Sequence, residues 1–335
     1  MFKHILVPVD GSPLAEQALP VAARIARATG GTVTLFYVLS MRFGYGPYLA
    51  QPGSFVETQL EAESVGAKMY LDRLARSAVL EGVKTRKEAM LGLPAETIVT
   101  YARISETDLI VMSTHGYTGL KRWALGSVAQ KVARLGPVPA LILRSDSTLP
   151  EGTTHPMHVL VPLDGSPLAE AAVLPAAQLC AALAPDEATL HLVRVVQPIH
   201  YVEDEGQGIA EELNEDAIQD AQGYLSRVAE YVREGNLASG HLAITSSIVT
   251  SPDIVHTLIR AAEQGESFAD TKVCDGCDIV ALATHGRHGL TRWFQGSVTE
   301  SMLGATRLPL FVVHAEEGES TRCNNVTVPL ALTAR

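Results

Sequence analysis

The chain has 335 residues, about twice the length of an ordinary single domain, so two domains are the starting expectation. With 47% hydrophobic and 19% charged residues it is globular rather than disordered or fibrous. A formal net charge of −11 argues against a general binder of nucleic acid or anionic membranes, which needs clustered Lys and Arg.

The first residues, Met1-Phe2-Lys3-His4-Ile5-Leu6-Val7, run into an apolar β-like stretch without the three regions of an export signal. Four thinly spread cysteines (Cys180, Cys274, Cys277 and Cys323) do not form a disulfide framework, so a reducing cytoplasm is the expected location. The most apolar helical stretch, around Ala171 to Ala184, is interrupted by Pro175 and Gln178 and is shorter than the ~20 residues needed to cross a bilayer. Neither a membrane nor a nucleic acid is an expected partner.

The strand candidates of the first half are Ile5–Val9, Val33–Val38, roughly Lys84–Ala89, Leu109–Met112 and Ala140–Leu143. Between them lie helical patterns. Ser12-Pro13 reads as an N-cap with proline at the first helical position, and Ala15, Ala18, Leu19, Ala22 and Ile25 keep one apolar face toward a sheet. Val56–Leu80 is amphipathic, with Glu57, Glu61 and Glu63 on the solvated face. The second half repeats the order, with strands at Val159–Leu163, Thr189–Val196, His241–Val249, Ile279–Leu282 and Leu310–Val313 and a long helix over Ile209–Val232. Short strands alternating with helices predict a parallel α/β sheet in each half, five strands apiece.

The halves echo each other in sequence as well as in pattern. Leu6-Val7-Pro8-Val9-Asp10-Gly11-Ser12-Pro13-Leu14-Ala15-Glu16 returns at Leu160 to Glu170 with one change, Val9 to Leu163. Thr114-His115-Gly116 through Gly126-Ser127-Val128 returns as Thr284-His285-Gly286 through Gly296-Ser297-Val298. The first echo is offset by 154 residues and the second by 170, so the second copy carries 16 extra residues between them, ahead of its fourth strand. The polar run Ser145 to Pro156 is the seam. The expected division is therefore 1–145, a linker at 146–156, 157–315, and a C-terminal tail at 316–335.

Both echoes fall at carboxyl ends of strands, where open parallel sheets bind ligands. Gly116 and Gly119 suit a close backbone approach, and Gly126-Ser127 opens the following helix, whose first N–H groups and dipole favour a phosphate. Glycine turns also serve purely as loop geometry. No Gly-x4-Gly-Lys-Ser/Thr loop occurs and no Gly-x-Gly-x-x-Gly follows strand one, which sets aside P-loop and dinucleotide chemistry.

These two repeated motifs together resemble the universal stress protein family (UspA-like) in its tandem form, over residues 2–145 and 157–315. The resemblance implies two Rossmann-like, five-stranded domains of adenine-nucleotide-binding type with helices on both faces. The ATP-binding branch carries Gly-x2-Gly-x9-Gly-Ser/Thr after strand four. Here the pattern reads Ser113-x2-Gly116-x9-Gly126-Ser127 and Ala283-x2-Gly286-x9-Gly296-Ser297, without its first glycine in either copy. The family's Gly-x-Pro turn after strand three is Gly92-Leu93-Pro94 in copy one and Thr250-Ser251-Pro252 in copy two.

Carried over position by position, the resemblance implies nucleotide contacts from Pro8, Val9, Asp10, Val38, Met112, Ser113, Gly116, Gly126, Ser127 and Val128. In the second copy it implies Pro162, Leu163, Asp164, Val195, Leu282, Ala283, Gly286, Gly296, Ser297, Val298 and Thr299. The cofactor would be ATP, with Mg as its companion. The implied role is a cytoplasmic, stress-linked regulator whose halves pair through their last strands, with an unnamed protein partner and a homodimer as further assembly. A nucleotide-free scaffold is the competing reading, and slow ATP hydrolysis or autophosphorylation at Ser127 and Ser297 a third.

Asp10 and Asp164 serve either the nucleotide or an ordinary turn. His115 and His285 have no carboxylate or nucleophile placed beside them, so they read as loop residues, as do Trp123 and Trp293. No catalytic residue and no metal ligand is assigned. Cys274-Asp275-Gly276-Cys277 lacks the second ligand pair of a zinc site and precedes a strand, so its thiols are expected in a solvent loop. Asn325-Val326-Thr327 carries no weight as a sequon in a cytoplasmic chain.

Overall fold

The structure is a computed structural model that describes residues 2–40, 54–114, 126–144, 149, 156–199, 207–235, 242–265, 267–268, 271–272, 276–285 and 297–315. Its first half runs β1 (His4–Val9), α1 (Pro13–Glu16), α2 (Ala18–Thr29), β2 (Thr32–Leu39), α3 (Ser54–Ala75), β3 (Lys84–Leu91), α4 (Pro94–Ile104), β4 (Leu109–Ser113), α5 (Ser127–Leu135) and β5 (Ala140–Leu143). The second half follows with β6 (Met157–Pro162), α6 (Pro167–Glu170), α7 (Val173–Leu183), β7 (Ala188–Val196), α8 (Gln207–Glu234), β8 (Leu242–Thr250) and α9 (Ile254–Gln264). It ends with β9 (Ser267–Phe268), β10 (Thr271–Lys272), β11 (Ile279–His285), α10 (Ser297–Ala305) and β12 (Leu310–Ala315).

Each half is a parallel sheet, and the two join into one ten-stranded sheet of order β3-β2-β1-β4-β5-β12-β11-β6-β7-β8. The join is antiparallel: Leu310, Phe311 and Val312 pair with Ile142, Leu141 and Ala140. β4 and β5 read as unbroken apolar runs because both of their faces are covered. On one face α2, α3, α7 and α8 bury residues such as Ile25, Leu74, Leu179 and Val228; on the other, α4, α5, α9 and α10 bury Val99, Val132, Leu258 and Met302. Both layers contain residues of both halves, so the core is continuous across the duplication. Phe2 meets Phe311 edge to face at 6.2 Å, and the ring nitrogens of His314 lie 2.9 and 3.2 Å from the carbonyl oxygens of Ala133 and Val138.

Three features differ from the sequence reading, each with a local cause. The helix expected from Ser12 through Ile25 is broken after Glu16, and its counterpart after Glu170. Pro20 and Pro175 are the reason: each lacks the N–H that would bond four residues back and crowds that carbonyl, so the chain turns there instead. The insertion adds a small antiparallel hairpin, β9 with β10, to the five strands expected of the second half. Cys277 is buried at 7% exposure rather than in a solvent loop, because its N–H docks on the carbonyl of Ala262 at 2.7 Å and turns the thiol into the core.

Within the linker, Leu149 is buried against the core. Cys274, the sequon and the tail at 316–335 lie outside the described residues.

Candidate functional site

The carboxyl end of β1 leads into a turn whose geometry is set by three residues. Gly11 adopts φ +88°, a conformation costly for a residue with a Cβ, and the Asp10 carboxylate accepts the Ser12 N–H at 3.0 Å. The Ser12 hydroxyl then caps α1 by accepting from the Ala15 N–H at 3.1 Å. The second half repeats this with Gly165 at φ +90°, Asp164 to Ser166 at 2.8 Å and Ser166 to Ala169 at 3.1 Å. One oxygen of each aspartate thus shapes the turn.

Beside β1, β4 ends in buried Met112 and Ser113. Thr114 continues the strand by donating its N–H to Leu143, and its carbonyl accepts the Gly126 N–H at 2.8 Å. That bond pins the start of α5 over the end of β4. Gly126 is the N-cap, at φ −60° and ψ 146°, and offers no side-chain cap, unlike Ser12, Ser166 and Asp253 at other helix starts. The first turn of α5 therefore presents its backbone N–H groups, with the exposed Ser127 hydroxyl at its rim. Val38, Met112 and Val128 pack into one apolar layer beneath it.

The second half brings together the matching set, Val195, Leu282 and Val298, on the same layer. Leu163 extends β6 by donating to Val193 at 2.8 Å. Thr299 donates its hydroxyl to the Ala283 carbonyl at 3.1 Å, tying α10 to the end of β11, where the first half has buried Ala129. Ser297 begins α10. Pro8 and Pro162 are half-buried members of β1 and β6, paired with Phe36 and Val193. Gly116, Gly286 and Gly296, with His115, Trp123 and Trp293, lie outside the described residues.

Two tyrosines escaped the sequence reading. Tyr70 on α3 and Tyr224 on α8 stand under the two Asp-Gly-Ser turns, with their hydroxyls toward Glu16 and Glu170. Burial, and then the neighbouring glutamate's charge, holds the proton on each phenol well above the usual range. Their spacing of 154 residues, the offset of the first echo, was the signal that could have found them. Arg73 lies 5.2 Å from the Tyr70 ring centre and bonds Glu16 at 2.7 Å.

Among the described residues no group of three His, Cys, Asp or Glu side chains is placed to hold a metal, and no helix is long and apolar enough to cross a membrane.

Comparison with known proteins matches the model of the universal stress protein family to residues 1–144 and again to 156–314. A universal stress protein of Methanocaldococcus jannaschii is 34% identical over 148 residues, 43% of this chain and 83% of that protein. One from Mycobacterium bovis is 26% identical over 92% of this chain and 96% of its own length. Among solved structures, a universal stress protein from Archaeoglobus fulgidus shares the fold at a TM-score of 0.60 and 19% identity, covering 93% of this chain and 98% of that one.

Proposed function

The chain belongs to the universal stress protein family, a stress-response class, and from that premise we propose that it is a regulatory protein that binds ATP or a related adenine nucleotide. The binding place is the crevice where the ends of β1 and β4 meet the start of α5, its counterpart in the second half, or both. The observation that carries this reading is the first turn of α5: a nine-residue helix, pinned at Gly126 to the end of β4 and without a side-chain cap. Backbone N–H groups so presented, at the positive end of a helix dipole, suit a phosphate. The apolar layer of Val38, Met112 and Val128 beside them suits a base. Ser127 and Val128 would hold phosphate and Asp10 the sugar or base. The reading takes 1–145 and 157–315 as two units joined by 146–156, working in the cytoplasm, and assigns no catalytic residue.

The test is mass spectrometry of small molecules released on denaturing the freshly purified chain, beside calorimetric titration with ATP, with and without magnesium. Gly126 sits in an extended conformation open to any residue, so Gly126→Val crowds the helix start without straining the backbone. Released ATP or ADP, with heat of binding reduced in Gly126→Val and further in the double variant with Gly296→Val, is the expected result. No released nucleotide and no heat at millimolar ATP leaves the nucleotide-free scaffold instead.

A further inference from the structure

On the opposite face of the sheet from Val195, the second half opens a crevice of about 460 Å³ between the Asp164-Gly165 turn, the end of β7 and the middle of α8. Its walls carry Asp164, Arg194, Gln219, Asp220 and Arg227, around the ring of Tyr224. Side chains alternate along a strand, so Arg194 points to the α8 face while Val195 packs on the α9 and α10 face. The crevice and the proposed nucleotide site share only the turn at Asp164.

The duplication supplies an internal control. In β1 and β2, Pro8 pairs with Phe36 and Tyr37 follows; in β6 and β7, Pro162 pairs with Val193 and Arg194 follows. Arg194 thus occupies the place of Tyr37, which meets Tyr70 edge to face at 5.9 Å. On the helix, Gly223 stands where the first half has Met69, Asp220 where it has Gly66, and Gln219 where it has Val65, each 154 residues on. In the first half Arg73 is held by Glu16 at 2.7 Å; its counterpart Arg227 lines the open crevice. Three apolar or aromatic positions have become polar or lost their side chain, all around one hollow.

One charge of that hollow is held by its surroundings, and none of the four is paired with another among the described residues. The Arg194 guanidinium lies 5.2 Å from the centre of the Tyr224 ring and within about 3.4 Å of where a Cβ on Gly165 would stand, so it is held between ring and backbone. Among the described residues, Arg194, Arg227, Asp164 and Asp220 make no ion pair with one another or with any other group. Two cations and two anions face one space and sum to zero. A ligand of matching pattern, one anionic and one cationic end, balances them, whereas a phosphate dianion meets two carboxylates. A guanidinium resting on an aromatic ring presents its planar fork to the hollow, which suits a planar, bidentate acceptor such as a carboxylate.

We propose that this crevice is a second ligand site, for a small zwitterion of the α-amino-acid class, its carboxylate on Arg194 and Arg227 and its ammonium on Asp164 and Asp220. Its occupant bears on the Asp164 turn that also edges the proposed nucleotide crevice, yet the site stands without any nucleotide being bound.

The experiment is thermal denaturation of the full chain with each standard α-amino acid in turn at millimolar concentration, followed by calorimetry on those that raise Tm. Inorganic phosphate and ATP are run as comparison probes. Arg194→Tyr and Gly223→Met install the residues that the first half already accommodates at these places, and Arg227→Gln alters only an exposed helix position. At least one amino acid raising Tm, with affinity reduced tenfold or more in Arg194→Tyr, Gly223→Met and Arg227→Gln, is expected. The proposal is overturned if no amino acid binds, if binding survives all three changes, or if phosphate outdoes every amino acid in a manner lost in the same variants.

Discussion

The guanidinium of Arg144, one residue past the first half's last strand, donates to the main-chain carbonyl of Leu303 in the second half at 2.7 Å. The group is 8% exposed, and burial pulls its pKa down, opposed by the charge of Glu263. A cation placed there joins the halves by a directional bond in addition to the strand pairing beside it.

Replacing it by Met keeps much of the apolar stem but leaves the Leu303 carbonyl without that donor. Arg144→Met should cost about 2 kcal/mol, the scale of a buried hydrogen bond from a charged group. Urea unfolding read by tryptophan fluorescence and by far-ultraviolet circular dichroism checks it, and the two signals should move together because the core is shared. A transition that splits into two steps would mean that the halves unfold separately.

His191, in the middle of β7, is buried with its ring nitrogens 2.7 Å from the hydroxyls of Thr245 and Ser247. Burial, and then the nearby His158, lowers its pKa to about 4. Between that value and the ordinary 6.5 the unfolded chain binds more protons than the folded one. Stability is therefore fully retained above about pH 6.5 and falls as the pH drops toward 4, by about 3 kcal/mol from this group. The first half has Thr34 at the same register, so His191→Thr is the natural replacement. The slope of Tm against pH in that window should flatten in His191→Thr; an unchanged slope assigns it to other groups.

Ser12 and Ser166 each cap a helix through one hydroxyl. Ser12→Ala and Ser166→Ala should each cost about 1 kcal/mol, and the double change about the sum, since the turns are far apart. Denaturation of the two single variants and the double one measures this. A marked departure from additivity would mean that the turns communicate through the sheet.

Much of this architecture is legible in the chain. The strand runs were apparent because buried parallel strands are nearly continuous in apolar residues, and the two echoes marked the strand ends because turns and helix starts tolerate few substitutes. The broken first helix was legible too, in Pro20, but an apolar spacing that fits a helix hides a proline that interrupts it. Cys277 illustrates a different limit: its burial follows from one main-chain bond to Ala262, and main-chain bonding partners carry no residue code. The crevice beside Arg194 needed the strand register before Tyr37 and Arg194 could be recognised as the same place.

The antiparallel join of β5 with β12 sets every strand of one half running against those of the other. The carboxyl ends of the two halves consequently lie along opposite rims of a single ribbon, with β1 and β6 five steps apart, about 24 Å at the usual strand spacing. Occupants of the two rims cannot collide, and no single nucleotide can bridge them. Nucleotides held in both proposed crevices would therefore face two different readers from opposite rims of the sheet.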